Sequence, residues 1–358
     1  MGSGKPHSEI QRFPAEDVYN FVEAVLLKSE VEEQAAKVTA RGLWQTSLRG
    51  VDSHGIRLLL HYIQGVRGGR VNPQAHIQFE KTSATTGRVD ADHGFGHAAG
   101  MLAMKNAIEM ARESGSGQVA VANSNHCGSM AYFALEAAKN DMIGTAYTNA
   151  SPNMRSANAT TRFFGTNPIC MAAPMSREGP FCYDGATTMV ALNKIRNMGD
   201  QGQDIPNGWG ADSKGKDTTD PAAVSQLLPM GDYKGFGLAM IVDILCGVMT
   251  GMPTGDQVTD MFRDSNSEKR HLGHFFTATR IDAFQEASQF KDRLQELADR
   301  IRQQPRQDED TPVMIPGDSE KASEADRKEF GMPINEAILS DFRKLAEELD
   351  LEMFGSQS

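Results

Sequence analysis

Two histidines in this 358-residue chain have the residue type and setting for proton transfer near neutral pH. His54 stands in the tetrapeptide Asp-Ser-His-Gly after a predicted helix. His126 stands in Asn-His-Cys-Gly after a predicted buried strand, residues 119–122. A histidine presented where a regular element ends can act as a general acid or base. In either place it can also be a capping or packed residue, and the local pattern leaves both interpretations open.

Metal chemistry is not indicated by the same residues. His126 is followed by Cys127, but no second ligand pair lies at a zinc-like spacing. The four cysteines form no CxxC pair, and a chain of this length does not need disulfides. We therefore predict no metal and free thiols in a reducing cytoplasm.

A glycine-rich segment lies between a predicted strand and the clearest helix of the chain, residues 98–114. Gly94, Gly96 and Gly100 are spaced GxGxxxG, whereas the dinucleotide fingerprint is GxGxxG. The next strand ends in Asn123-Ser-Asn-His, without the acidic residue that binds the ribose in a Rossmann unit. The pattern argues against a Rossmann site and is typical of a tight turn that begins a helix.

Two further motifs combine glycine with ligand-binding groups. Phe164-Gly-Thr-Asn-Pro168 ends a long polar loop, where it can hold polar ligand groups or form only a turn. Asp232-Tyr-Lys-Gly-Phe-Gly237 begins an apolar segment that we predict to be a buried helix extending to Gly251. The N–H groups of that helix terminus and Lys234 suit a phosphate, although Asp232 could also serve as a simple cap.

The charge balance limits the classes of partner. Lys plus Arg is 36 and Asp plus Glu is 47, which gives a net charge of −11. Binding to nucleic acid through its phosphates is disfavoured in so acidic a chain. A local group of basic side chains can still bind a small anion. No apolar stretch is long enough to span a membrane, and Met1–Glu9 lacks the apolar core of a secretory signal, so a cytoplasmic protein is expected.

The length favours two domains, and the patterning suggests how they divide. Helical periodicity marks both chain ends, while the middle mixes short strands and helices. We predict a helical domain from residues 10–80 plus 290–350 and an α/β domain from residues 81–289. Within the second half, residues 313–316 are predicted to be a strand and residues 335–349 an amphipathic helix.

Taken together, six segments resemble one family, the malate/L-lactate dehydrogenases. They occur in the family's order between about residues 14 and 345. The segments are Asp52-Ser-His-Gly-Ile-Arg57, Asn125-His-Cys-Gly128, Phe164-Gly-Thr-Asn-Pro-Ile169, Thr218-Thr-Asp-Pro221, Tyr233-Lys-Gly-Phe-Gly-Leu-Ala239 and Gly273-His-Phe-Phe276.

The resemblance implies a fold and an activity. Members are NAD- or NADP-dependent oxidoreductases of 2-hydroxy acids or of the matching oxo or imino acids. Their fold is α/β, with a non-Rossmann, mixed-sheet NAD(P)-binding domain inserted in a helical domain built from both termini. They are homodimers, so a homodimer is expected here.

The resemblance also implies roles for single residues. His54, with Ser53 beside it, and His126 match the histidines at the reacting centre, and both remain candidates for the acid/base. Arg57 is a candidate clamp for the substrate carboxylate, because a guanidinium fork suits that planar group. The positions that match cofactor contacts or their surroundings are Thr166, Asn167, Asp184, Lys234, Pro316, Gly317 and Asp318.

Three departures from the family pattern lie near these positions. Where the family usually has a segment with a proline and two glycines, this chain has residues 154–159. Gly185 occupies a position where the family usually has methionine, and Asn193 occupies one where it usually has glycine. We hypothesise that Arg155 in the altered segment meets a second anionic group on the substrate. The expected reaction is hydride transfer between nicotinamide and a small 2-hydroxy or 2-oxo acid. The alternatives are a reductase of a cyclic imino acid and a catalytically idle nucleotide-binding relative.

Overall fold

The computed structural model describes residues 11–355; Met1–Glu9, on which the prediction about a secretory signal depends, lies outside them. The helices are α1 (Ala15–Lys28), α2 (Glu33–Leu48), α3 (Leu59–Arg67), α4 (Gly96–Ser114), α5 (Ala131–Ala138), α6 (Leu192–Asp200), α7 (Tyr233–Asp243), α8 (Ala287–Arg302), α9 (Asp318–Phe330) and α10 (Glu336–Leu349). The strands are β1 (Gln11–Phe13), β2 (Gln78–Lys81), β3 (Thr86–Asp90), β4 (Ser116–Ser124), β5 (Met142–Thr148), β6 (Met154–Arg155), β7 (Arg162–Phe164), β8 (Ile169–Ala173), β9 (Phe181–Gly185), β10 (Gly210–Ala211), β11 (Asp217–Thr218), β12 (Gln226–Leu227), β13 (Leu272–Arg280) and β14 (Met332–Ile334).

The central sheet has seven strands in the order β2-β3-β4-β13-β5-β8-β9. Only β3 and β4 are parallel, and every other neighbouring pair is antiparallel. The two helices α4 and α5 pack against it, with Phe133 and Phe276 among the fully buried side chains of the shared core. The predicted mixed α/β fold is confirmed, and the sheet is not the doubly wound parallel sheet of a Rossmann domain.

Helix α4 owes its close packing to glycine. A Cβ atom on Gly100 would lie 2.7 Å from the ring of Phe133 on α5. The helix ends at Gly115, whose φ of 86° is the left-handed conformation that glycine adopts at low cost. The last glycine of the GxGxxxG segment, Gly100, therefore lets α4 pack closely against α5.

The two ends of the chain meet. Strand β1 pairs with β14 in antiparallel register, with Arg12 opposite Pro333. Helix α1 packs against α2 and α10, and their buried side chains form one apolar cluster that includes Val22, Leu43 and Phe342. Helix α8 lies elsewhere, because its Ala298 packs against Met175 and Ile315.

The predicted strand at residues 313–316 is wrong. These residues pair with no strand among residues 11–355, and the N–H of Ile315 instead donates to the Asp318 carboxylate (3.1 Å), where α9 begins. Helix α9 was not predicted. None of its residues is buried, so its sequence carries no strong apolar stripe.

The apolar segment after Lys234 is helical as predicted, but it is not buried all round. Helix α7 continues into a π-helical turn at Ile244–Val248. No element of the described chain covers one of its faces. The exposed side chains of this face are Met240, Ile241, Ile244, Val248 and Met249.

The described residues contain no helix long and apolar enough to cross a membrane. All four cysteines are free and buried. A second, five-stranded sheet in the order β11-β10-β12-β6-β7 carries the altered segment around Arg155.

Candidate active site

His54 is placed by a short 3₁₀ turn, Asp52–His54, that follows α2. Arg327 of α9 donates to the Asp52 carboxylate at 2.8 Å and holds the turn from one side. On the other side, a Cβ on Gly55 would lie 2.0 Å from the Ser47 hydroxyl oxygen. The Asp-Ser-His-Gly sequence thus needs its glycine to bring the turn against α2.

His126 lies in the irregular segment between β4 and α5. The preceding Asn125 donates its side-chain amide to the carbonyl oxygens of His93 (2.7 Å) and Gly94 (3.1 Å). Gly96, the first residue of α4, packs so closely that a Cβ there would lie 2.2 Å from the Asn125 carbonyl oxygen. The glycine-rich segment therefore fixes the backbone that carries His126.

The two histidines come together. Their ring centroids are 5.7 Å apart and the ring planes differ by 24°. Nδ1 of His54 lies 2.8 Å from the Ser53 hydroxyl, and Nδ1 of His126 lies 2.6 Å from the Tyr62 hydroxyl. The backbone N–H of Gly128 also points at Nδ1 of His126 (3.4 Å). We therefore assign Nδ1 of His126 as the acceptor and Nε2 as the protonated nitrogen.

Both imidazoles are held in the neutral form. Burial lowers the pKa of His126 well below its ordinary value, and the nearby His54 and Arg270 add to the effect. Burial also lowers the pKa of His54; Asp184 opposes this change and Arg57 reinforces it. At neutral pH the pair can accept a proton or offer a neutral N–H donor.

Asp184 on β9 is accessible to solvent, although the protein groups around it desolvate its carboxylate. Its carboxylate accepts from the Ser129 hydroxyl (2.7 Å) and from the N–H of Ala131 (2.8 Å), the first residue of α5. Burial raises the pKa of Asp184, while these two hydrogen bonds and the positive charge that His54 carries when protonated counteract that rise. Asp184 therefore anchors the chain next to His126 and also affects the charge of His54.

Arg270 is a site residue that the sequence did not single out. Its side chain is 2% exposed, and its Nη2 donates to the Ser151 hydroxyl (3.0 Å) and the Thr259 carbonyl oxygen (3.0 Å). Among residues 11–355 it has no acidic partner within ion-pair distance, and its Nη1 has no hydrogen-bond acceptor. Burial lowers the pKa of Arg270 to about 10, so the group stays charged at neutral pH.

A small cavity of about 20 Å³, the size of one water molecule, joins Arg270 to His126. A buried cation without a partner is costly, and a carboxylate beside it would remove that cost. The lining residues are His61, Tyr62, Gly65, Arg70, Val71, Phe95, Asn125, His126, Met261 and Arg270.

The two arginines named from the sequence lie in different places. Arg57 is exposed on the 3₁₀ turn after His54, close enough to lower the pKa of that histidine. Arg155 lies in the five-stranded sheet, where its guanidinium donates to the Asp217 carboxylate (2.9 Å) and to the Ser156 carbonyl oxygen (3.2 Å). No contact within the described chain joins Arg155 to the histidines.

Comparison with known proteins assigns the chain to a family. A family model described as malate/L-lactate dehydrogenase matches residues 13–343. The chain belongs to the malate/L-lactate dehydrogenase family. It is an oxidoreductase that acts on CH–OH groups, as its hydroxy-acid dehydrogenase relatives do.

The similarity covers nearly the whole chain. A malate dehydrogenase of Pyrococcus abyssi is 35% identical over 345 residues, 94% of each chain. An L-sulfolactate dehydrogenase of Methanocaldococcus jannaschii is 34% identical over 332 residues, 92% of this chain and 94% of the other. The crystal structure of malate dehydrogenase from Entamoeba histolytica has a TM-score of 0.91 at 26% identity, covering 96% of this chain and 99% of that one.

The residues matched to family cofactor contacts differ in accessibility. Asn167 is fully buried: its amide oxygen accepts from the N–H of Ala150 (3.1 Å), and its nitrogen donates to the Ala239 carbonyl oxygen (3.0 Å). Its side chain thus joins the Ala150 loop to α7. Thr166 is half-buried, and its carbonyl oxygen accepts from the N–H of Thr187 (2.9 Å).

Lys234 and the 316–318 segment also differ in accessibility, since Lys234 and Pro316 are exposed, Asp318 is half-buried and Gly317 is buried. Lys234 is exposed in the first turn of α7, without an ion-pair partner in residues 11–355. Gly317 has a φ of 98° and packs on the backbone of Cys182, two residues before Asp184. Asp318 accepts from Arg302 at 2.6 Å. The described residues hold no cluster of three His, Cys, Asp or Glu side chains that could bind a metal ion.

Proposed function

We propose that the protein is an NAD(P)-dependent oxidoreductase that interconverts a small 2-hydroxy acid and its 2-oxo acid, with histidine as general acid/base. The observation that carries the proposal is the neutral pair His54 and His126 beside the buried, unpaired Arg270. Such a site offers one group for the substrate carboxylate and two for the oxygen on the neighbouring carbon. A 2-hydroxy acid presents these two functions on adjacent atoms.

Arg270 is the proposed carboxylate-binding residue. Its guanidinium is already oriented by the Thr259 carbonyl oxygen and the Ser151 hydroxyl, so little side-chain entropy is lost on binding. Its Nη1 is the group left for the ligand. Arg57, exposed beyond His54, adds positive potential at the mouth of the site.

The two histidines are proposed to have different roles at the substrate oxygen. Tyr62 occupies Nδ1 of His126, so Nε2–H is left to donate to that oxygen and hold it. His54 can adopt the opposite tautomer, because the Ser53 hydroxyl either donates or accepts. His54 is therefore the proposed base for the hydroxyl proton, with Ser53 orienting it.

The donor groups on α7 and next to strands β8 and β9 fit a nicotinamide dinucleotide. Lys234 and the first N–H groups of α7 suit its phosphates, and Asp184, Thr166 and the 316–318 segment lie along the same outer strands, β8 and β9. Bound there, nicotinamide supplies the hydride acceptor or donor for carbon 2 of the substrate. The chain's own part is to orient the substrate, manage the proton and limit the access of water.

The test is turnover, followed by the absorbance of the reduced nicotinamide, with both cofactors and a panel of 2-oxo acids and cyclic imino acids. We expect oxidation of NADH or NADPH with a 2-oxo acid, reduced about 100- to 10,000-fold in His54→Gln. His126→Gln, which keeps an N–H donor, should retain more activity than His126→Ala. A surface variant, His76→Gln, serves as the control.

Two results would overturn the proposal. Turnover of cyclic imino acids alone would identify an imine reductase. Cofactor binding without turnover of any panel member, unchanged in His54→Ala, would identify an idle nucleotide-binding relative.

A homodimer is part of the proposal, and α7 offers its surface. Five apolar side chains on one face of α7 and its π-helical turn, Met240, Ile241, Ile244, Val248 and Met249, are exposed. An exposed, contiguous apolar surface of this kind is typical of a site that contacts another protein. We therefore propose that this face, the α7 face, pairs with a second copy of the chain.

A further inference from the structure

Arg70 is one of the largest fully buried side chains, at 2% exposure, and it lies on a loop rather than in a core helix. Its guanidinium donates to four backbone carbonyl oxygens of one other loop: Met261 (2.7 Å), Asp264 (2.9 Å), Ser265 (2.9 Å) and Glu268 (3.2 Å). Residues 259–268 are here called the 259–268 loop. Four of the five N–H groups of Arg70 thus bind the 259–268 loop.

A second observation shows how closely the two loops fit. Gly68 stands two residues before Arg70, and a Cβ there would lie 2.6 Å from Cβ and 2.7 Å from the carbonyl oxygen of Asn266. Any side chain at position 68 would therefore push the 259–268 loop away. The fit is independent of the guanidinium hydrogen bonds.

The 259–268 loop supplies the support of Arg270. The Thr259 carbonyl oxygen accepts from Nε and Nη2 of Arg270. The Ser151 hydroxyl oxygen accepts from Nη2 of Arg270 (3.0 Å) and from the N–H of Met261 (3.3 Å). Since the carbonyl oxygen of that same Met261 is held by Arg70, a continuous series of hydrogen bonds connects Arg70 with Arg270.

The same loop forms one wall of the cavity beside His126. Met261 lines the cavity, and the ring of Phe262 lies 4.9 Å from that of His61, which also lines it. The charges of Arg70 and Arg270 add to burial in lowering the pKa of His61 to about 4. His61 is therefore neutral and does not compete for the substrate anion.

Arginine suits this position better than any other residue. Irregular backbone inside a protein leaves carbonyl oxygens that need donors, and a guanidinium presents five in one plane. Lysine has three donors at a single atom and cannot span Met261 and Glu268 together. Burial lowers the pKa of Arg70, while Asp264, Glu268 and Asp260 raise it, so the charge is retained.

We propose that Arg70 is a positioning residue for substrate binding: by fixing the 259–268 loop it sets the orientation of Arg270 toward the substrate carboxylate. The proposal rests on the proposed function, in which Arg270 binds that carboxylate. Arg70 also lines the cavity, but four of its five N–H groups are bound to the 259–268 loop, so its proposed effect on the substrate passes through Arg270.

The experiment compares Arg70→Gln and Arg70→Lys with wild type, using the full-length protein and the acid that wild type turns over best. We expect KM for the acid to rise about tenfold or more in Arg70→Gln, the cost of a displaced hydrogen bond to a charged group, and less in Arg70→Lys. The change in kcat should be under about threefold, because the histidines are untouched. The dissociation constant of NADH or NADPH, measured by fluorescence, should not change.

Arg67→Gln is the matched control, because Arg67 lies three residues earlier and pairs with Glu348 on the surface. Gly68→Ala displaces the 259–268 loop through the contact with Asn266 and leaves the Arg70 side chain unchanged. We expect it to raise KM as Arg70→Gln does. This second variant keeps the proposal testable where Arg70→Gln does not fold.

An unchanged KM in folded Arg70→Gln or Gly68→Ala would overturn the proposal. So would a fall in kcat, cofactor affinity and melting temperature together, which is the result of a purely structural role. A wild-type protein that turns over no acid refutes the proposed function instead, before any variant is made.

Discussion

The hydroxyl oxygen of Tyr62 lies 2.6 Å from Nδ1 of His126. Burial raises the pKa of Tyr62 well above its ordinary value, so the phenol stays protonated and donates to the imidazole. A histidine whose Nδ1 is occupied in this way presents Nε2 with its proton to the cleft. Tyr62 thus leaves Nε2 as the nitrogen of His126 that is available to the proposed substrate.

Removing this hydroxyl in Tyr62→Phe should lower kcat about fivefold, since one hydrogen bond of about 1 kcal/mol no longer fixes the tautomer. Steady-state kinetics measure the loss. The matched control is Tyr132→Phe, whose hydroxyl donates to the Val38 carbonyl oxygen (3.1 Å). Equal kcat values for Tyr62→Phe and wild type would show that the contact has no role in turnover.

The pH dependence of hydroxy-acid oxidation follows from the lowered histidine pKa values. The reaction needs a neutral imidazole, and burial lowers the pKa of both His54 and His126 below 6.5, the ordinary value. We expect kcat/KM to stay constant as pH falls from 8 through 6.5 and to decrease only below that. A half-maximal rate above pH 6.5 would contradict this assignment of the base.

Asp184→Asn tests the charge that acts on His54. Asp184 raises the pKa of His54, so removing its negative charge should lower that pKa further. The acid limb of the kcat/KM profile should then move to lower pH. The amide oxygen can still accept from the N–H of Ala131, which keeps the local structure. A shift of the limb to higher pH would refute this electrostatic coupling.

Gly96→Ala should displace the backbone of His126. The added Cβ would lie 2.2 Å from the Asn125 carbonyl oxygen and 2.8 Å from that of His126, and neither can move as a side-chain end could. We expect a loss of about 1–3 kcal/mol in the free energy of unfolding and a larger loss of activity. Denaturant unfolding and kinetics measure both.

Gly179→Ala is the control for this substitution, because its nearest neighbour is the flexible Lys321 side chain at 3.5 Å. Wild-type activity in Gly96→Ala would mean that the segment carrying His126 adapts without consequence.

Ile244→Glu should separate the proposed dimer. Ile244 is 44% exposed on the α7 face, and a carboxylate there would have to be desolvated on pairing. Size-exclusion chromatography with light scattering should report a dimer for wild type and a monomer for the variant. Leu297→Glu on α8, also exposed, should leave the dimer intact. A monomeric wild type would refute the interface.

The sequence was most informative where a site residue lies within a local pattern. His54 and His126 each stand beside glycines and small polar residues at the end of a regular element, and the folded chain brings the two together. Tyr62 could have been proposed from its place eight residues after His54, at the start of a helix. Arg270 could not, because only the three-dimensional fold shows that its side chain is buried and unpaired.

The sequence predicts the fold class but not the order of the strands in the central sheet. Helical and strand periodicities gave the mixed α/β arrangement, yet β13 lies in the centre of the sheet between β4 and β5, far from its sequence neighbours. Local patterns carry no information on such pairing. Helix α9 was missed because ion pairs hold it, such as Arg327 with Asp52, and not an apolar stripe.

The pairing of β1 with β14 has a consequence for synthesis on the ribosome. Arg12 can meet Pro333 only after more than 300 residues have been added. Until α10 emerges, the apolar faces of α1 and α2 lack part of their covering, and long-range closure of this kind slows folding. The apolar faces of α1 and α2 are therefore fully covered only after α10 has been made, and these two helices are the segment on which we expect molecular chaperones to act.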